Sequence, residues 1–180
     1  MARVCLLGED DIDLRYELLS RETAREALAT YDLRQPYHNA VALETVSLGA
    51  AVALLNDLNW YLVRFVDEAL VREPSVSDEE WLSRDLSTAL RDDAVTPEAS
   101  GRFCKVYGVV TDGEEEADSQ VADDEAADDG DDVDTTRRDP ARRLVDPMFV
   151  TRTGPELPTY DLRDVDETVV VRVTETEFGA

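Results

Sequence analysis

Three consecutive acids, Glu9, Asp10 and Asp11, together with Asp67 further along, are the side chains whose type and spacing suit chemistry. Hard oxygen ligands of this kind hold Mg²⁺, and an aspartate beside the ion is able to accept a phosphoryl group. The rest of the catalytic inventory is short. His38 is the single histidine, so HExxH zinc sites and two-histidine ligand sets are excluded. A Ser-His-Asp or Cys-His arrangement would need His38 itself, which lies in a Pro36-Tyr37-His38-Asn39 loop. No Walker loop, GxGxxG or GxSxG motif occurs. No catalytic residue and no bound cofactor is therefore expected, with Mg²⁺ entering only if Asp10, Asp11 and Asp67 form a site and Asp67 is the phosphoacceptor.

The elements that must position these acids follow from hydrophobic periodicity. Arg3 to Leu7 reads as a buried strand, and Asp13 as the cap of a helix from Leu14 to Tyr31. Val41 to Val46 reads as a second strand, and Ser47 as the cap of a helix through Leu58. Trp60 to Val66, rich in aromatic and β-branched residues, carries the strongest strand signal. A single helix from Leu48 to Val71 is its rival, since Leu48, Val52, Leu55, Leu62, Phe65 and Ala69 share a face. Ser77 to Glu80 has the form of a capping box opening a helix to about Arg91, with Trp81, Leu82, Leu86 and Leu90 buried. Phe103 to Val110 and Leu144 to Thr151 read as strands, Gly154-Pro155 as a turn, and Val169 to Val173 as a strand with alternate residues inward. In an open α/β sheet the carboxyl ends of strands gather functional groups, which would bring Glu9–Asp11 and Asp67 together.

These elements define an α/β fold: a mixed sheet with three helices, a β-α-β-α-β-α-β core and C-terminal antiparallel strands added to it. The alternative is an α+β two-layer sandwich. The expected organisation is a core over 1–110, an acidic disordered insertion over 111–139, and strands over 140–180 that complete the same domain. One echo stands out: Thr30-Tyr31-Asp32-Leu33-Arg34 recurs as Thr159-Tyr160-Asp161-Leu162-Arg163, and is read as a shared lead-in turn rather than a duplication.

Charge bounds the setting. The 180 residues hold 42 acids against 18 bases, for a net charge of −24, and Lys105 is the only lysine. Thr111 to Asp139 contributes 14 acids and 2 bases, which is half of the excess. The other half belongs to the remainder of the chain, so the folded surface itself must be rich in carboxylates. Such self-repulsion is tolerated when concentrated salt shortens the Debye length to about 3 Å at 1 M. The composition resembles that of proteins from halophilic archaea. An acid surface repels nucleic-acid phosphates, so no direct nucleic-acid binding is expected and the partner is taken to be another protein. Arg137, Arg138, Arg142 and Arg143 are the only basic cluster in the sequence, and pair with the neighbouring acids. No apolar stretch is long enough to span a bilayer, and Cys5 and Cys104 read as buried cytoplasmic thiols.

The stretch 4–18 resembles the opening of a response-regulator receiver domain, and 41–67 is similar to its second strand, helix start and third strand. That resemblance implies Mg²⁺ on Asp10 and Asp11 and phosphorylation of Asp67. Receivers also end their fifth strand on Lys-Pro, whereas Lys105 here is followed by Val106. The whole chain also resembles an uncharacterised family of small haloarchaeal proteins, which implies no activity. The expected function is a non-catalytic cytoplasmic binding or regulatory module. One alternative is the Mg²⁺-dependent phosphoacceptor; another is an acidic insertion that imitates nucleic acid toward a basic partner.

Overall fold

The computed structural model describes residues 1–111, 142–154 and 167–179. The chain runs through β1 (Ala2–Gly8), α1 (Leu14–Leu19), α2 (Glu22–Leu28), β2 (Ala40–Thr45), α3 (Leu48–Asp57), α4 (Asn59–Phe65), β3 (Val66–Arg72), β4 (Trp81–Ser83) and α5 (Arg84–Arg91). A 3₁₀ turn at Pro97–Ala99 leads to β5 (Phe103–Thr111), β6 (Arg142–Thr151), β7 (Glu167–Arg172) and α6 (Glu175–Gly179). The strands form one seven-stranded mixed sheet in the order β2-β1-β3-β4-β7-β5-β6, so the fold is α/β. Among the described residues only the β4/β7 pair is parallel and the other five pairings are antiparallel. Of the acidic insertion expected over 111–139, Thr111 is the last residue of β5 and the rest lies outside the described residues, as do the second copy of the Thr-Tyr-Asp-Leu-Arg echo and Pro155 of the expected turn.

Alternation along β1 divides two cores. Val4 and Leu6 face the helices, where they meet Leu14, Leu18, Leu43, Leu55, Leu58 and Val71. Cys5 faces the other way, onto Ala42, Leu70, Trp81, Tyr107, Val169 and Val171. Both faces of β1 are thus buried, which explains its unbroken apolar run. Truncating a fully buried leucine such as Leu6 or Leu55 to alanine would cost about 2–5 kcal/mol. The sheet curls around the second core. Lys105 Nζ and Tyr107 Oη on β5 both bond Glu68 Oε2 on β3, at 2.5 and 2.9 Å. At the rim, His38 N donates to Arg142 O, bringing the chain just before β2 onto the start of β6.

Several expectations are corrected, each for a local reason. The helix expected from Leu14 to Tyr31 is two. Ser20 Oγ turns back to the Glu17 carbonyl and Arg21 is extended at φ −106°, ψ 126°, so the ladder stops. Asp13 and Ser47 cap as expected, accepting from Tyr16 N and Ala50 N. Trp60 to Phe65 is helix α4, not a strand. Leu58 and Leu62 are buried while Trp60 and Val63 are exposed, a helical stripe whose packing outweighs the residues' β-propensity. Nor is there one helix from Leu48 to Val71, because α3 ends at Asp57 with Leu58 as its cap, and the chain turns extended at Val66.

Ser77 Oγ does accept from Glu79 N and Glu80 N, yet no helix starts there. Trp81 and Leu82 enter β4, with Trp81 in the core around Cys5 and Leu82 in a cluster with Leu86 and Leu90. Helix α5 opens three residues later on Ser83, whose Oγ accepts from Leu86 N. The last strand is also not an addition at the margin. Val169 and Val171 point inward as expected, but β7 sits between β4 and β5 in the interior of the sheet. The order of elements therefore differs from a β-α-β-α-β-α-β core, with six α-helices among the described residues rather than three.

Candidate functional site

The acids singled out above share one end of the sheet, though by a different route from the one expected. Strands β1 and β3 are antiparallel, so the carboxyl end of β1 lies beside the amino end of β3. Their register slips between Leu7, opposite Glu68, and Gly8, opposite Val66, which leaves Asp67 as the bulged residue. Asp67 is thus the second residue of β3 and not the last of a strand. Glu9 N donates to Phe65 O at 3.1 Å, and the side chains of Glu9, Asp10, Asp11 and Asp67 are all in exposed residues. Among the described residues no group of three or more His, Cys, Asp or Glu side chains is placed to hold a metal ion. Asp10, Asp11 and Asp67 accordingly offer no ready cage for Mg²⁺.

What holds this loop is an asparagine. Asn39 Oδ1 accepts from Leu14 N at 2.9 Å, its Nδ2 donates to Glu9 O at 2.8 Å, and its own carbonyl accepts from Gly8 N. The fit requires a left-handed Asn39, φ 52°, and a glycine opposite it. A Cβ on Gly8 would stand 2.6 Å from Asn39 Nδ2 and 2.8 Å from Leu14 Cβ.

The groove with convergent chemistry is elsewhere. Arg3 on β1, Arg34 before β2, Arg72 at the end of β3 and Arg142 at the start of β6 line one cleft of about 590 Å³, with Tyr31, Tyr37 and Trp81 between them. Asp32, Glu44 and Glu167 are its acids, so a chain of net charge −24 has a locally cationic surface here. Arg3 pairs with Glu44 at 2.9 Å and Arg34 with Asp32 at 3.7 Å. Arg142 pairs with Glu167 and also lies 5.8 Å from the Tyr37 ring.

Arg72 differs from these three. Its guanidinium stands 4.8 Å from the centroid of Trp81, and it makes no ion pair among the described residues. The indole is buried at 6% exposure and so fixes the cation against a rigid plane. Beneath the cleft, burial pushes the Cys5 thiol up to about 12, with Arg3 and Arg72 pulling weakly the other way. Burial likewise raises the Tyr37 phenol. Both shifts favour the protonated forms of these groups at neutral pH. A neighbouring cleft of about 530 Å³ shares Tyr37, Arg72, Trp81 and Glu167 and continues to Glu80 and Arg152.

Sequence reasoning missed this groove because its cations are single residues far apart in the chain. The cluster it did find, around Arg142, contributes one member, which pairs with Glu167; the neighbouring acidic run lies outside the described residues. His38 is exposed in its loop, as expected. Both cysteines are free and buried, and none of the described helices is long and apolar enough to cross a membrane.

No curated protein and no solved structure matches the chain. One family model does, over residues 2–109, which takes in the sheet from β1 into β5 and three of the four cleft arginines discussed above. On that match, which covers more than half of the sequence, the chain belongs to DUF5804, a family of unknown function.

Proposed function

We infer that the protein is a non-catalytic binding module that holds an acidic segment of a protein partner in the cleft of Arg3, Arg34, Arg72 and Arg142, in the cytoplasm of a halophilic archaeon. The observation that carries this reading is Arg72, stacked on Trp81 and without a carboxylate of its own among the described residues. A guanidinium fixed in this way presents its fork to a carboxylate at little entropic cost. The overall charge does not oppose such a partner in concentrated salt. At a Debye length of about 3 Å the long-range repulsion is screened, while contact pairs in a sheltered cleft survive. Side chains of a short peptide fit a cleft of about 590 Å³, whereas a duplex would meet the acidic surface around it.

The test uses Trp81 as reporter in a Trp60→Phe background. A hexaglutamate peptide titrated in 2 M KCl should change Trp81 emission saturably, and hexalysine should not. Arg72→Ala should weaken the acidic peptide by about tenfold or more, as expected for a lost charged hydrogen bond. Equal response to both peptides, or indifference to Arg72→Ala, would overturn the reading.

A further inference from the structure

The geometry points to a second binding site, for a phosphate group, in the cleft where Arg102, Arg152 and Arg172 meet beside Gly101. The cleft is separate from the peptide groove and measures about 600 Å³. Its floor is a clamp on one carboxylate. Arg172 donates from Nε and Nη2 to Glu80 Oε1 at 3.1 and 3.0 Å, and from Nη1 to Ser100 Oγ at 3.0 Å. Arg152 donates from Nη2 to the same carboxylate, 2.7 Å from Oε1. Two guanidinium groups therefore share one anion, and among the described residues lining the cleft only Glu98 adds another. With Arg102 the balance among the described residues is positive, in a chain of net charge −24.

Arg152 and Arg172 are largely buried, at 17% and 12% side-chain exposure, and are fixed before any ligand arrives. Arg152 has a donor to spare. Its Nε is buried out of reach of the cleft and without a hydrogen-bond partner among the described residues, so the donor it offers the cleft is Nη1, which faces Gly101. A Cβ at Gly101 would lie 3.3 Å from that Nη1 and 3.5 Å from Arg172 Cζ, so the glycine keeps both cations open to the cleft. Arg102 completes the group from an exposed position, its guanidinium resting 5.2 Å from the Phe103 ring. Two rigid cations and one adaptable one match an oxyanion of nearly two charges better than a single carboxylate, because arginine forks bond phosphate oxygens in pairs. The site would take free phosphate or the head of a phosphate monoester.

Isothermal titration of the full chain in 2 M KCl at pH 7.5, with inorganic phosphate in one arm and O-phosphoserine in the other, tests this. Saturable binding of phosphate is expected. Tighter binding of the ester identifies a monoester as the natural source, and equal binding identifies free phosphate. Arg102→Ser, an exposed change, should weaken binding by about tenfold, the effect of one charge-assisted contact. Gly101→Ala should weaken it as well, by covering the guanidinium groups. Hexaglutamate binding at the other cleft should be unchanged in Arg102→Ser, so the two readings fail separately. Absence of saturable phosphate binding, or binding unaffected by both substitutions in protein with a native circular dichroism spectrum, would overturn the proposal.

Discussion

Ser83 Oγ donates a 2.7 Å hydrogen bond to Oε2 of Glu177, a residue 94 positions further along the chain. The same oxygen accepts from Leu86 N at 3.2 Å and so caps α5, while Glu177 Oε2 also accepts from Thr174 N at 2.7 Å. One hydroxyl thus joins the start of α5 to the chain end after β7. Ser83→Ala removes the cap, worth about 1 kcal/mol, and strips a partner from a half-buried carboxylate. Urea unfolding at fixed KCl should show a loss of about 1–3 kcal/mol, and an unchanged midpoint would contradict this account.

Glu80 is the anion between Arg152 and Arg172. Burial opposes its charge, but the hydrogen bonds from the two guanidinium groups outweigh that and hold its carboxyl below the ordinary range. A folded-state value below the unfolded one contributes stability above the unfolded pKa, about 4.3, which is lost as pH falls through the folded value. Glu80→Gln should therefore be less stable than wild type by about 2–4 kcal/mol near neutrality, since it leaves two largely buried cations unpaired. The gap should narrow as pH drops below about 4. A gap independent of pH would mean that packing, not charge, sets the cost.

The two tryptophans should report different surroundings. Trp60 is 47% exposed on α4 with Arg64 stacked 3.8 Å from its ring, and Trp81 is 6% exposed in the core. Iodide should quench the Trp81→Phe variant, which retains Trp60, several-fold more strongly than Trp60→Phe. Similar quenching of both would place α4 wrongly.

Both thiols should be silent in the folded state. Burial raises Cys5 to about 12 and also raises Cys104, and thiolate is the reactive form. At pH 8, Ellman's reagent should label neither cysteine in the native protein and both after unfolding in guanidinium. Rapid native labelling of either would show that the core around it opens readily.

Where the fold was legible, a local signal agreed with the tertiary setting. Asp13 and Ser47 announce their helices because a cap bonds backbone three residues away, and Val169, Val171 and Val173 announce an inward face because strand alternation is strict. Trp60 to Phe65 misled because the residues it buries, Leu62 with Tyr61 and Phe65 beside it, form a helical stripe, while the β-formers Trp60 and Val63 stay exposed. Trp81 and Leu82 misled because a three-residue strand is too short to show a period, and only pairing with β3 and β7 reveals it. The arginine groove was invisible for a related reason. Residues 3, 34, 72 and 142 meet through the antiparallel β2-β1-β3 order and the approach of β6 to the loop before β2, and neither is written in local composition.

The interior place of β7 has a consequence for how the molecule is made. On one side stand β2, β1, β3 and β4, and on the other β5 and β6, with β7 alone hydrogen-bonded to both groups. A ribosome delivers this bridging strand after all the others. Until it emerges, β4 and β5 each present an unpaired edge, and the long-range pairing that joins them cannot begin. Folding of the sheet is therefore completed only after the sixth strand has already been synthesised, with two exposed strand edges waiting on a seventh.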